Sequence, residues 1–322
     1  MRVGVIGTGF VAKLRVQALL ADSRVAGVAV AGRSRDRSAE FCAAVGGEPV
    51  DGWRSLLADP EIKAVFVASV NGGRGALIRS LLEGDRHVVT EYPLALDPIE
   101  AAGLIDLAAA RGRLLHVEHI ELLGGVHRSL KTNIKRLGSV AYGRYCTIAP
   151  RSPAPEKWTY APELFGFPLV GALSRLHRLV DVLGPVASVA ATVRYGPEPV
   201  ADYYRTVWCA AQLRFGSGAI AEVLYAKGEG VGPGERRLEM RGDRGALIYD
   251  GDAGRWIGPE GTEEALPVEG RRGLFAVDTA AAIAAIVEGK PLYVSPQESL
   301  YTLQVADAAR RSAETGRAIA LE

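Results

Sequence analysis

The sequence predicts an α/β chain of two domains: an N-terminal doubly wound parallel sheet, then an α+β domain built on a large, mostly antiparallel open sheet. Three observations predict it. A glycine turn stands close behind Met1, strand and helix patterns alternate up to Ile120, and beyond that residue strands follow one another without intervening helices.

The first strand is the apolar run Val3-Gly4-Val5-Ile6, which ends in Gly7-Thr8-Gly9-Phe10-Val11-Ala12; Lys13 to Leu20 then reads as a helix. Gly7 permits the tight turn, Gly9 lets the backbone approach a pyrophosphate, and small Ala12 lets helix pack on strand. The helix N-terminus offers its free N–H groups to the phosphates. A match of this kind is weak alone, and a second strand at βαβ spacing, Val25 to Ala31, strengthens it. Gly7, Thr8, Gly9, Phe10 and Val11 are therefore the expected cofactor turn. A site that prefers NAD places an acid after the second strand, whereas here Gly32-Arg33-Ser34-Arg35 follows. Arginine pairs bidentately with phosphate and Ser34 can donate to it, so Arg33, Ser34 and Arg35 predict NADPH in preference to NADH. The alternative is a solvated basic loop, with Asp36 one residue further on.

Helices over Arg37–Val45 and Trp53–Ala58 lead to a strand over Ala64–Val70, with Ser69, Val70 and Asn71 as cofactor-binding candidates at its end. A helix over Gly75–Gly84 and a strand over Arg86–Thr90 follow, and that strand runs into Glu91-Tyr92-Pro93, where Glu91 and Tyr92 face the cofactor. Asp97 caps a helix from about Pro98 to Arg111, and Leu114–Ile120 completes a six-stranded sheet. The second domain carries strands over Val140–Ile148, Val186–Tyr195, Val207–Phe215, Gly218–Tyr225, Arg236–Gly242 and Ala246–Asp250, with a final helix near 296–316. Turns such as Phe215-Gly216-Ser217-Gly218 suit antiparallel hairpins. The expected domains are 1–120 and 121–322. Helices on one face leave the other face of the sheet in need of a cover, by a ligand or by a second subunit in a homo-oligomer.

In a chain of 322 residues, 48% hydrophobic content suffices for two cores. Lys and Arg number 38 against 37 acids, a net charge of +1 that gives no footing for nucleic acid or an anionic membrane. Cys42, Cys146 and Cys209 are odd in number and in no metal spacing, which predicts reduced thiols in the cytoplasm. Without a leader before the first strand or an apolar run of about 18 residues, the expectation is a chain neither exported nor inserted.

The glycine turn, the Glu-x-Pro element and the open-sheet domain together resemble the glucose-fructose oxidoreductase, inositol dehydrogenase and MocA family over essentially the whole chain. That family usually carries Glu-Lys-Pro, and on one helix of the second domain a histidine acid/base and an aspartate. Tyr92 replaces the lysine; with the helix aligned on Leu183-Gly184, Ser174 and His177 fall at the histidine and aspartate positions. Arg74 stands after Asn71, where many members carry histidine. The machinery for oxidising a hydroxyl is missing. Glu91-Tyr92-Pro93-Leu94-Ala95-Leu96, His116-Val117-Glu118-His119-Ile120-Glu121-Leu122-Leu123, Trp158-Thr159-Tyr160, and Phe165-Gly166-Phe167-Pro168 with Ser174-Arg175 resemble the biliverdin reductase branch in its cyanobacterial form. The resemblance implies an NADPH-dependent hydride transfer to the C10 methine bridge of biliverdin IXα, giving bilirubin, with no metal.

A planar tetrapyrrole with two propionates calls for flat faces and cations. Tyr92, Trp158, Tyr160, Phe165 and Phe167 can supply walls, and Arg175 and Arg178, three apart on one predicted helix, can project together. Hydride arrival builds electron density that protonation of a pyrrole nitrogen relieves. Arg175 is the first candidate for stabilising it, Tyr92 donates a hydrogen bond beside the nicotinamide, and Glu91 is a candidate relay. Glu118, Glu121, His119 and His177 are substrate-side or proton-relay candidates. Each has a structural alternative: a backbone bond for Glu91, a cap or ion pair for Glu118 and Glu121, a salt bridge for Arg175, a satisfied ring for the histidines, packing for the aromatics. The competing functions are an NADP-dependent oxidoreductase acting on a sugar-like, carbonyl or imine substrate, and a non-catalytic NADP-binding sensor.

Overall fold

The computed structural model describes residues 1–196 and 202–321. They divide into two compact units, Met1–Ile120 with Arg272–Leu300, and Glu121–Arg271 with Tyr301–Glu322.

The first unit alternates β1 (Arg2–Ile6), α1 (Phe10–Leu20), β2 (Gly27–Ala31), α2 (Arg35–Val45), β3 (Glu48–Val50), α3 (Arg54–Ala58), β4 (Ile62–Val67), α4 (Arg74–Glu83), β5 (His87–Glu91), α5 (Pro98–Ala110) and β6 (Leu115–Glu118). Its sheet is parallel throughout, in the order β3-β2-β1-β4-β5-β6. The order reverses between β1 and β4, the switch point at which such sheets bind ligands beyond the carboxyl ends of their strands. The sequence reading names no strand at β3. Three residues with Pro49 in the middle make a weak signal, and a proline that cannot donate is tolerated because β3 lies at the sheet edge. Asp97 caps α5 by accepting from the N–H groups of Ile99 and Glu100.

The second unit contains α6 (Ile120–Leu123, with Ile120 counted in the first unit), α7 (Gly125–Asn133), β7 (Val140–Pro150), α8 (Pro162–Phe165), α9 (Pro168–Gly171), α10 (Ser174–Leu183), β8 (Val186–Gly196), β9 (Thr206–Phe215), β10 (Ile220–Gly228), β11 (Glu235–Gly242), β12 (Gly245–Asp250), β13 (Ala253–Ile257) and β14 (Glu263–Leu266). The chain then returns to the first unit with α11 (Leu274–Glu288). The last helix, α12 (Pro296–Thr315), crosses the division between Leu300 and Tyr301, and β15 (Ile319–Ala320) ends the second unit. The nine-stranded sheet runs β14-β13-β12-β11-β7-β10-β9-β8-β15, and β7 and β10 are its one parallel pair among the described residues.

Where the sequence reading assigns all of 121–322 to the second domain, Arg272–Leu300 belongs to the first unit. The reason is packing. Ala282 and Ile283 of α11 are buried with Val16 and Leu19 of α1, and Arg15 of α1 pairs with Asp278. No helix among the described residues is long and apolar enough to cross a membrane.

Candidate functional site

The glycine turn fits a dinucleotide. Gly7 has φ +124°, and a Cβ there would stand 2.5 Å from the carbonyl oxygen of Ala68, so only glycine is comfortable. A Cβ on Gly9 would meet nothing within 4 Å, and Gly9 enters α1 without a side-chain cap, which leaves the first N–H groups of the helix for an anion. Phe10 is 74% exposed beside them. At the end of β2, Arg33 and Arg35 are exposed, and Ser34 caps α2 by accepting from the Arg37 N–H at 3.3 Å. Its hydroxyl hydrogen stays available to a phosphate, and the α2 N-terminus adds to the anion-binding character.

Behind Glu91-Tyr92-Pro93 lies a buried polar cluster, all of it within the first unit. Arg15, 1% exposed, donates to Glu91 Oε1 from Nε (3.0 Å) and Nη2 (2.9 Å), and from Nη1 to Asp278 and to Thr279 Oγ1 (2.9 Å). Burial alone would weaken the guanidinium's hold on its proton, but Glu91 and Asp278 raise its pKa above the ordinary value. Asp278 also faces His116 Nε2 at 2.7 Å and accepts from the Tyr293 hydroxyl at 2.7 Å. Burial pushes its carboxyl up, and Arg15, His116 and Tyr293 together hold it well below the usual carboxylate range. Glu118, opposite Glu91 in the β5–β6 register, accepts from the Ile120 N–H at 2.5 Å. Its pKa is raised well above normal by burial first, then by the charge of Glu91 and a hydrogen bond to it.

Arg74 is the fastener of this region. Its Nη1 donates to the carbonyls of Glu91 (2.7 Å) and Pro93 (2.9 Å), and its Nη2 to the carbonyl of Ser69 and to Asn71 Oδ1 (3.0 Å). It thereby ties the Ser69-Val70-Asn71 loop to Glu91-Tyr92-Pro93, and burial lowers its own pKa to about 10 against the pull of Glu91 and Glu118. The Tyr92 ring stacks on His119 at 5.3 Å and 10°. His119 is fixed by Ser299 Oγ (2.9 Å) and, through its N–H, by the Tyr293 hydroxyl (2.9 Å).

The second unit gathers cations and rings. Arg175 lies 5.6 Å from the Tyr225 ring centroid and donates to Ser174 Oγ at 2.9 Å. Arg178 does not accompany it: buried over Tyr145, it pairs with Glu121, as do Arg236 and Arg271. Burial raises the Tyr145 phenol, but Arg178, Arg175 and Arg236 outweigh burial and bring it below its ordinary pKa. Lys227 is 5% exposed, with its ammonium 3.9 Å from the ring centre of Phe165, 4.6 Å from that of Tyr160, 5.3 Å from that of Tyr204 and 5.8 Å from that of Tyr225. It donates to the Thr159 carbonyl, and burial, with Arg175 adding to it, lowers its pKa to about 7. Trp158 tilts against Phe165 at 5.9 Å, Phe167 is half-buried, and His177 is buried in α10.

Glu91, Glu118, Tyr92 and His119 thus form one group in the first unit. Arg175, Trp158, Tyr160 and Phe165 share the second unit's cluster. The strand expected over Leu114–Ile120 is shorter: β6 stops at Glu118, and the candidate Glu121 lies in α6, bound to three arginines. Arg15, Asp278, Tyr293, Tyr145 and Lys227 are absent from the sequence reading. Two of them carry a signal: Asp278 is the single charge among the apolar residues from Leu274 to Val287, and Lys227 falls on the inward alternation Ala221, Val223, Tyr225 of β10.

Two family descriptions match the chain: "Oxidoreductase family, NAD-binding Rossmann fold" over residues 1–119 and "Oxidoreductase family, C-terminal alpha/beta domain" over residues 131–321. The crystal structure of biliverdin reductase from Synechocystis sp. PCC 6803, in complex with biliverdin and NADP+, is 44% identical, with a TM-score of 0.94 over 97% of this chain and 99% of that one. Biliverdin reductase A of Mus musculus is 35% identical over 141 residues, 42% of this chain and 43% of the mouse protein, so the match spans less than half of that relative. A dTDP-3,4-didehydro-2,6-dideoxy-alpha-D-glucose 3-reductase of Saccharopolyspora spinosa is 28% identical over 78% of this chain and 74% of its own length.

Proposed function

The chain belongs to the Gfo/Idh/MocA oxidoreductase family, and from that premise we propose that it is an NADPH-dependent biliverdin reductase, reducing the C10 methine bridge of biliverdin IXα to give bilirubin. The observation that carries this reading is the 44% identity over nearly the whole chain to the Synechocystis enzyme that binds biliverdin and NADP+. The chemistry of the residues supports it.

When bound, the nicotinamide supplies the hydride. Gly7, Gly9 and the N-terminus of α1 hold the pyrophosphate, while Arg33, Ser34 and Arg35 hold the 2′-phosphate. Ser69, Val70 and Asn71, fastened by Arg74, form with Tyr92 the surface at the nicotinamide end. In the second unit, Arg175, half-buried above Tyr225 and near the Lys227 cluster, attracts the propionates and stabilises electron density arriving on the conjugated system. Trp158, Phe165 and Phe167 give the apolar faces. The similarity to a deoxysugar 3-reductase favours a second reading, reduction of a sugar-nucleotide ketone. Against it stand Ser174 and His177, where the wider family carries its histidine and aspartate.

The purified protein mixed with biliverdin IXα and NADPH is expected to lose the green absorption as a yellow product grows, faster than with NADH. An unchanged spectrum while NADPH is bound, together with turnover of a dTDP-keto-sugar, would overturn the reading in favour of the second.

A further inference from the structure

Three carboxyls meet in the buried cluster of the first unit. Arg15 pairs with both Glu91 and Asp278, and His116 also faces Asp278, whereas Glu118, 2% exposed, has no cation in contact among the described residues and faces Glu91 across the β5–β6 register. From every element around Glu118 the charged groups are accounted for: Glu91 on β5, Arg15 on α1, Asp278 on α11 and Arg74 on α4. On its own strand His116 is turned to Asp278, and Tyr293 donates to the same carboxylate. Two buried carboxylates sharing a hydrogen bond cannot both be ionised cheaply, so one holds a proton. Glu118 is the more buried member, while the Glu91 side chain, held by Arg15 through Oε1, is 15% exposed.

We infer that Glu118 is a proton store coupled to the oxidation state of the bound cofactor: it is protonated beside NADPH and gives its proton up when the nicotinamide becomes cationic. The inference deepens the proposed function and rests on its cofactor assignment. In the reaction read above, hydride passes to the methine carbon, a pyrrole nitrogen of the pigment takes one proton, and NADP+ is left. A cationic nicotinamide held near Glu91-Tyr92-Pro93 would favour ionised Glu118 at the moment the pigment needs that proton. The partly exposed Glu91 would connect the store to the surface, and a proton taken up from bulk solvent would restore Glu118 when NADPH replaces NADP+. Glu118 is a positioning and storage residue in this scheme.

The test needs no pigment. Titrating the protein with NADP+ and separately with NADPH, by calorimetry in buffers of different ionisation enthalpy, counts the protons released. Wild type is expected to release up to about one more proton with NADP+ than with NADPH, and the ratio of their Kd values to change by up to about tenfold per pH unit inside the titration window. Glu118→Gln is expected to abolish both effects, and Glu91→Gln to move the window to lower pH. If both cofactors bind wild type with equal proton counts, the inference is overturned and the functional reading survives. If neither binds, the cofactor assignment falls as well. The wild-type measurement decides even where a variant fails to fold.

Discussion

Two buried cations, Arg15 in the first unit and Lys227 in the second, keep opposite company. In the first, Arg15 is met by two carboxylates, a hydroxyl and a carbonyl, and its region is close to neutral. In the second, buried Arg178 shares the carboxylate of Glu121 with the partly buried Arg236 and the exposed Arg271, and Lys227 rests among four rings without a carboxylate partner among the described residues. A matched cluster holds a shape. An unmatched positive charge in an apolar setting costs stability, which loss of the proton or a bound anion relieves. The substrate proposed above, a pigment with two propionates, would bring such an anion.

The largest effect expected from breaking the contrast is on the matched side. Arg15→Met strands Glu91 and Asp278 and should cost about 3–5 kcal/mol in urea unfolding at unchanged m-value, as for other broken buried pairs; a loss below about 1 kcal/mol would show that the cluster does not hold the unit together. On the unmatched side the sign reverses. Lys227 has a folded pKa of about 7 against 10.5 for the free side chain, so the unfolded chain binds more protons between those values and stability rises with pH across that window. Lys227→Met should therefore stabilise by on the order of a few kcal/mol at pH 6, with the gain fading towards pH 10. Urea midpoints at pH 6 and 9.5 check this, and an equal gain at both would refute it.

Two predictions sharpen the division of labour. Arg175→Ala should lower kcat/KM for biliverdin by about 100-fold while leaving the Kd for NADPH within about twofold. A matching loss of cofactor affinity would mean that Arg175 serves the first unit instead. The smallest effect is expected at the edge of the cofactor turn, where Arg33→Ala with Arg35→Ala should cut the NADPH-to-NADH preference by about tenfold or more. An unchanged ratio would make Gly32 to Arg35 a plain surface loop.

What was legible in the sequence follows the range of the interactions involved. The glycine turn, the parallel strands and the long antiparallel strands are written in local periodicity, and the structure places them within a few residues of the expected positions. The edge strand Glu48–Val50 was hidden by its length and its proline. The Arg15–Asp278 pair was hidden by a separation of 263 residues, since no local pattern says which buried charges will meet. Helix positions Arg175 and Arg178 invited a shared role, but burial on α10 divides them: Arg178 turns to Glu121, and Arg175 stays half-buried over Tyr225.

The same long separation sets a schedule for biosynthesis. Arg15 leaves the ribosome early, and Asp278 follows 263 residues later, roughly 13–50 seconds afterwards at about 5–20 residues per second. Through that interval the six strands of the first sheet can assemble, yet Arg15 and Glu91 lack their third partner and α1 lacks the cover of α11. The nine-stranded sheet is translated almost whole inside the gap. The first unit is thus begun first and closed late, and a nascent chain stalled before Arg272 would present an unfinished ionic core to chaperones and proteases.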